Sequence, residues 1–400
     1  MTDPTTSLGA RIKQLRTASG MSQRELSERA EISIELIRKL EQGQRQTASI
    51  TSLQAIARAL DVDISQMLGK STPLPDADPN SGVLAIRRVL TSVDDLIGPI
   101  ADLGEPISLA RTRRETTYAW GAYWGGRYDQ LGMLLPQALV RARAVEASAR
   151  VRDRGAAVDL LAQLYQITAC TLVHLGHPDA AWLAAQQART AADRSSDPLR
   201  IAALRGTISW LLLTQGRYAE GFRVAEQAAE NLDPVGDVPV QQLSVRGALL
   251  LTAATSAGRD RRPDAAGDLL AEARNVAERI GVDRNDYELA FGISQVTMQT
   301  ADVQVVTQQY GAALKTARTM PRDSGLPLAA AARHLADVAF SQTQLGMYEK
   351  ATNTLLAMDS MAPDWMRYQT LPKQTITQLL QRERPTRLRE LAARVGAVTS

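Results

Sequence analysis

Apolar residues recur at helical spacing along this 400-residue chain, and polar caps and glycines punctuate them. Leu8, Ile12 and Leu15 predict a helix over Ser7 to Ser19, which Gly20 ends. Ser22 followed by Glu25 is a capping box, so a second helix starts there and runs to about Ala30. Ser33 caps a third helix, whose inner face is Leu36, Ile37 and Leu40 and which Gly43 stops. Ile50, Leu53, Ile56, Ala57 and Leu60 predict a fourth over Ser49 to Leu60, and Ile64 to Leu68 a short fifth. Five short helices this close together predict a small independent domain at residues 7–69.

Residues 70–82 break the pattern. Ser71 to Gly82 holds three prolines and no periodic apolar face, which predicts a semi-stiff linker. A connecting helix over Val83 to Ile97 follows, inside a segment 83–105, with Leu84, Ile86, Val89, Leu90, Val93 and Leu96 covering much of its surface.

Beyond Pro106 the chain repeats itself. Gly126-Arg-Tyr128 recurs as Gly216-Arg-Tyr218, and the same slot reads Gly176-His-Pro178 and Gly346-Met-Tyr348. Five residues after each glycine comes Leu131, Ala181, Gly221 or Ala351, mostly small, and then a second apolar helix. Gly258 predicts a similar turn with a longer loop, Arg259 to Pro263, and the long interval before Gly346 leaves room for one degenerate repeat around Ala301 to Ala313. Each turn reads as a helix ended by a left-handed glycine, wedged by an aromatic residue or proline, with a small residue letting the paired helices approach.

Composition agrees with an all-α fold. Hydrophobic residues make up 44% of the chain but aromatics only 4%, so the core is built from Ala, Leu, Val and Ile, which suits close-packed helices. The single cysteine, Cys170, excludes an intramolecular disulfide framework. No run is expected to span a membrane and no secretory signal is read at the N-terminus, which together predict a cytoplasmic protein.

The head closely resembles the helix-turn-helix of the Cro/C1-type, or XRE, repressor family. Ser22-Gln23, Glu25-Leu26, Ala30, Ile32-Ser33, Leu40-Glu41-x-Gly43 and Leu53-x-x-Ile56-Ala57-x-x-Leu60 carry the match over residues 8–68. Glu31 stands where the family places glycine in the turn, which predicts a strained or altered turn. The resemblance implies that Gln23 meets a phosphate and helps order the third helix. It implies that Ile34, Glu35, Arg38 and Lys39 face the bases, with Ser33 also among the DNA-binding residues and Gln44 and Arg45 on phosphates. A plainer reading pairs Glu35 with Arg38 or Lys39 along a solvated face. Ten Lys and Arg stand against eight Asp and Glu between Met1 and Lys70, a net of +2, so one head neutralises few phosphates and a homodimer on paired half-sites is expected.

The repeats at 106–363 resemble tetratricopeptide repeats, five or six helix pairs, though longer than the usual period and lacking its tryptophan and leucine in several copies. That resemblance implies an α-solenoid with a concave face. Residues 364–400, with Leu379, Leu380, Leu388, Leu391 and Val395, are expected to form capping or dimerisation helices. The combination is similar to peptide-responsive quorum-sensing regulators and actinobacterial relatives. It implies a peptide or small-molecule ligand in the repeats and double-stranded DNA at the head.

Candidate chemistry in the body is sparse. Tyr118, Trp120, Tyr123, Trp124 and Tyr128 can line a ligand pocket, or form the first repeat's core, which is the commoner use of such a stripe. Arg111, Arg113, Arg114, Arg141, Arg143, Arg150, Arg152 and Arg154 can hold an anion, or pair with neighbouring acids. Cys170, His174 and His177 share a helical spacing but lack an obvious fourth ligand for a metal. With three histidines and no phosphate loop or nucleophile elbow, the sequence predicts neither an enzyme nor a cofactor. Two functions stand: a dimeric, signal-responsive transcription regulator, and a scaffold whose repeats bind a partner protein while the head tethers it to DNA.

Overall fold

The computed structural model describes residues 8–45, 48–60, 62, 82–92, 108–195, 197–234, 236–382 and 385–397. By compactness the chain divides into residues 1–77 with 212–218, and residues 78–211 with 219–400.

Four helices build the described part of the head: α1 (Leu8–Ala18), α2 (Gln23–Ala30), α3 (Ile34–Glu41) and α4 (Ile50–Ala59). The starts of α2, α3 and α4 are where the polar caps predict. The Glu25 amide donates to Ser22 Oγ and the Ser22 amide to Glu25 Oε2, closing the capping box at α2. Ser33 Oγ accepts from the Leu36 amide and Ser49 Oγ from the Ser52 amide. The apolar faces of α1 to α4 meet in one core of Ile12, Leu26, Ile37, Leu40, Leu53 and Ile56, with Leu8, Leu15 and Leu36 against it. Helices α1 and α3 cross very closely at Gly9, where an added Cβ would stand 1.8 Å from the Leu40 carbonyl oxygen. The expected fifth helix at Ile64 to Leu68, the Ser7 cap and the linker up to residue 81 lie outside the described residues.

The body is a series of antiparallel pairs. Helix α5 (Gly82–Leu90) forms most of the described part of the predicted connecting helix, which Thr91 and Ser92 do not continue, and residues 93–97 lie outside the described residues. The pairs are α6 (Leu109–Trp124) with α7 (Tyr128–Ser148), α8 (Val151–His174) with α9 (Pro178–Ser195), and α10 (Pro198–Thr214) with α11 (Tyr218–Glu230). Then come α12 (Val240–Arg259) with α13 (Pro263–Ile280), α14 (Ile293–Val306) with α15 (Tyr310–Ala317), and α16 (Leu328–Gln344) with α17 (Tyr348–Met361). Three helices end the chain: α18 (Pro363–Arg367), α19 (Thr370–Leu380) and α20 (Thr386–Val395).

All six turns within pairs share one geometry. A left-handed residue ends the first helix: Gly126, Gly176, Gly216, Arg261, Gln308 or Gly346, with φ from 58° to 83°. The next amide reaches back to the carbonyl five residues earlier, as Arg127 to Ala122 and Met347 to Gln342, which satisfies a carbonyl orphaned at the helix end. Tyrosine or proline then opens the second helix, and Leu131, Ala181, Gly221, Ala266, Ala313 or Ala351 is buried three residues on. One expectation is corrected here. Gly258 lies inside α12, with an added Cβ 3.1 Å from Val303, and Arg261 takes the turn position instead. The degenerate repeat is α14 and α15, turning on Gln308.

A two-stranded antiparallel hairpin, β1 (Arg284–Asp286) and β2 (Leu289–Phe291), sits between α13 and α14, with Arg284 opposite Phe291. Leu379, Leu380, Leu388, Leu391 and Val395 are buried within the chain's own C-terminal packing. Helix α8, 24 residues long, is apolar enough to cross a membrane by length and composition, contrary to the sequence reading. It is the core helix of the body, and 78% of its most apolar window is buried there.

Candidate nucleic-acid interface

Helix α3 separates its two faces sharply. Ile37 and Leu40 are fully buried, while Glu35, Arg38 and Lys39 point outward with side chains 57%, 47% and 48% exposed. Ser33, whose hydroxyl is spent on the cap, and half-buried Ile34 begin that outward face, and Gln44 and Arg45 continue past its end. The sequence-predicted DNA residues are therefore brought along one side of α3 and just past its end, with Gln23 at the adjacent start of α2.

Glu35 lies 3.4 Å from Arg38 Nη1 and 3.5 Å from Lys39 Nζ, so the plainer pairing is present in the free protein. Exposed pairs of this kind are worth about 0–1 kcal/mol. A bidentate arginine–guanine contact supplies about 1–3 kcal/mol of discrimination. The pairing therefore leaves Arg38 available to a stronger partner.

The turn between α2 and α3 keeps its register despite lacking glycine. Glu31 adopts φ 51°, ψ 42° and its amide donates to the Ser27 and Glu28 carbonyls, while the Ile32 amide reaches Ser27 O at 3.2 Å. Ser27 Oγ donates to the Ile32 carbonyl and braces the corner. The expected strain is thus present, in a left-handed glutamate at the corner. A side chain in that region costs about 1 kcal/mol, and the surrounding hydrogen bonds hold it there.

A buried polar knot that the motif reading missed sets the angle between the helices. Arg16 on α1 donates from Nε and Nη2 to the two carboxylate oxygens of Glu41, and from Nη1 to the Met21 carbonyl. Gln23 Nε2 donates to Glu41 Oε2 at 2.7 Å. Gln23, expected on a phosphate, thereby also ties the start of α2 to the end of α3. The available signal was Glu41 itself, an acid beside the fully inward Leu40 that needs a cation when buried.

In the body, Trp120, Tyr123 and Tyr128 are buried and Trp124 half-buried, whereas Tyr118 is exposed. Tyr123 touches the rings of Trp120, Trp124, Tyr128 and His174, and His174 stacks on Tyr128 at 4.2 Å. Trp120, Tyr123 and Tyr128 thus take part in the packing of the first repeat. Burial pushes the Cys170 thiol up to about 12 and holds His174 neutral, down at about 3. Among the described residues no three His, Cys, Asp or Glu side chains are placed to hold a metal ion. Arg111 and Arg141 both pair with Glu115, the acid-paired use of such arginines, and Arg143 donates to Tyr165 and Gln187.

Residues 7–67 match a family model described as a helix-turn-helix domain. The head is therefore a helix-turn-helix domain, DNA-binding rather than catalytic machinery, as its motif implies. No curated protein matches the chain. Solved structures similar to it include Bacillus thuringiensis PlcR in complex with the peptide PapR7 and DNA, 14% identical over 87% of this chain and 98% of that one, with a TM-score of 0.38. PrgX is similar at 11% identity over 96% and 98% of the two chains, TM-score 0.28. The apo form of the competence regulator ComR from Streptococcus vestibularis is similar at 15% identity over 84% and 99%, TM-score 0.26.

Proposed function

We propose that this chain is a cytoplasmic transcription regulator that binds paired DNA half-sites as a homodimer and receives a peptide or small-molecule signal in its repeat body. The observation that carries this reading is the outward face of α3, which presents Ile34, Glu35, Arg38 and Lys39 on a helix whose inner face is fully committed to the head's core. Arg38 forks onto guanine O6 and N7, Glu35 accepts from a cytosine amino group, and Ile34 packs on a thymine methyl. Gln23, Gln44 and Arg45 take phosphates. Ser33 holds the start of α3 at the groove.

Two heads are needed because a net of +2 per head gives weak, shallowly salt-dependent binding, which a second half-site doubles. The helical-repeat body supports a receptor role, since stacked pairs make an extended inner surface whose shape changes with small rotations between pairs. The proposed division is a head at 7–69, a linker at 70–82, a connecting segment at 83–105, repeats at 106–363 and a cap at 364–400.

Footprinting of the full chain on its own upstream DNA at several salt concentrations, with native mass measurement of the complex, tests the proposal. The expected result is two protected half-sites one helical turn or a multiple apart, held by two copies. Protection without sequence preference at every salt concentration overturns it.

A further inference from the structure

The hairpin β1–β2 interrupts a helical array, and its tip is gripped by the first helices of several pairs. Tyr287 donates its hydroxyl to Asp197 Oδ2 at 2.9 Å, just ahead of α10, and its ring lies 4.9 Å from the Arg200 guanidinium carbon. Glu288 Oε2 accepts from Trp124 Nε1 at the end of α6, at 2.9 Å. Leu289 lies against Gly206 on α10, and Phe291 fills a notch over Gly247 on α12. The first helices form one wall, because α6 packs on α8, α12 on α14, α14 on α16, and α16 again on α6. The tip therefore occupies the inner surface that stacked helix pairs offer to ligands.

Base and tip differ in how they are held. At the base Phe291 is 1% exposed, and Asp283 accepts from the Ser294 amide at the start of α14 and from the Gly325 amide. At the tip Tyr287 and Glu288 sit at φ 55° and 61°, both central positions of a turn that favours Asn-Gly. Each costs about 1 kcal/mol there, and a ribbon of such short strands is not stable by itself. The tip stays because the wall holds it. The wall groups are meanwhile set without it: Arg200 Nε donates to Asp159 at 2.7 Å, and Asp197 Oδ1 accepts from the Leu199 amide. Arg200, with a side chain 6% exposed, keeps Nη1 buried and without a hydrogen-bond partner beside the tip.

We propose that the Tyr287–Glu288 tip is a built-in occupant of a peptide site formed by Trp124, Asp197 and Arg200, and that the peptide which replaces it carries an aromatic residue next to a carboxylate. The ring takes the face of Arg200, the carboxylate takes the Trp124 indole N–H, and the idle Arg200 Nη1 gains an acceptor it now lacks. This rests on the reading of the body as a receptor and gives the class of its ligand.

The test uses the full chain, a synthetic peptide of residues 284–291 as probe, and calorimetric titration. The double variant Y287G/E288G removes both anchors while suiting the left-handed turn. It is expected to bind the probe at least about tenfold more tightly than the native chain, in which the tethered tip competes at millimolar effective concentration. W124F in that background keeps the ring but loses the donor, and weakens the probe. In the native chain, excess probe is expected to speed amide exchange across 284–291. Equal affinity in native and double-variant chains, absence of binding to either, or unchanged exchange overturns the proposal. Operator affinity measured alongside separates the two readings. Displacement of the tip with no change in operator affinity removes the receptor reading and leaves the site. A signal-dependent change in operator affinity with exchange at 284–291 unaltered removes the site and leaves the receptor.

Discussion

Arg16 and Glu41 lie 25 residues apart and meet edge to edge, Nε to Oε1 at 2.7 Å and Nη2 to Oε2 at 2.9 Å, with the Glu41 side chain only 2% exposed. Because Glu41 also takes the Gln23 amide, this pair joins the ends of α1 and α3 to the start of α2. Removing one partner leaves a buried charge, so Arg16→Met is expected to destabilise the head by about 3 kcal/mol. Amide exchange across residues 8–60 of the full chain measures it, and exchange like the native chain's refutes it.

The same pair makes the head acid-sensitive. Burial pushes the Glu41 carboxyl up, but hydrogen bonds from Arg16 and Gln23 and the charge of Arg16 outweigh it, so it titrates below its ordinary value of 4.5. A carboxylate lowered on folding contributes stability above its unfolded value and loses it as pH falls through the folded one. Head protection is expected to decline below pH 4.5, and Glu41→Gln to flatten that decline, as read by exchange at stepped pH.

Glu31 holds its left-handed corner at φ 51° against its own side chain. Glu31→Gly is expected to stabilise the head by up to about 1 kcal/mol, since glycine enters this region freely and the corner's backbone and Ser27 hydrogen bonds do not use the Glu31 side chain. A gain in exchange protection of α2 and α3 checks it; a loss means that the Glu31 side chain holds the corner in some other way.

Arg38 and Arg45 are expected to fail differently. Arg38→Ala should cost about 1–3 kcal/mol on the preferred site and relax specificity at one base pair. Arg45→Ala should weaken binding alike on all sequences and lower the salt slope by about one per head. Gel shifts on matched and mutated sites across a salt series distinguish them, and identical behaviour of the two variants contradicts the assignment.

His174 gives the body its own acid limb. Desolvation lowers its pKa from 6.5 to about 3 in a stack against Tyr128, so the folded state keeps it neutral where the unfolded chain protonates it. Stability from this site is present above pH 6.5 and falls as pH drops from there towards 3, by at most about 1.4 kcal/mol per pH unit. His174→Phe, which keeps a ring on Tyr128, is expected to remove that slope in tryptophan-monitored unfolding.

Local chemistry determined much of this molecule in the sequence itself. Ser22 with Glu25 three residues on closes a capping box, and the Ser33 hydroxyl caps the next helix, so the two serines placed α2 and α3 directly. Apolar spacing likewise assigned the inward face of α3, and by exclusion the outward one. Glycine followed two residues later by tyrosine or proline marked four of the six repeat turns, because a left-handed residue and a helix-opening residue are both local requirements. Where Arg261 and Gln308 fill the left-handed position the cue vanished, although the backbone did the same thing. The hairpin was invisible for a similar reason: Tyr287 and Glu288 are not turn residues by propensity, and they stay in place through contacts with Trp124, Asp197 and Arg200, far away in the chain. The Arg16–Glu41 knot and the close crossing at Gly9 also join distant residues. Periodicity and capping act within a few residues and can be read from order alone. Burial of a charge, strain in a turn and the filling of a notch depend on what folding brings alongside, and only the tertiary structure decided those.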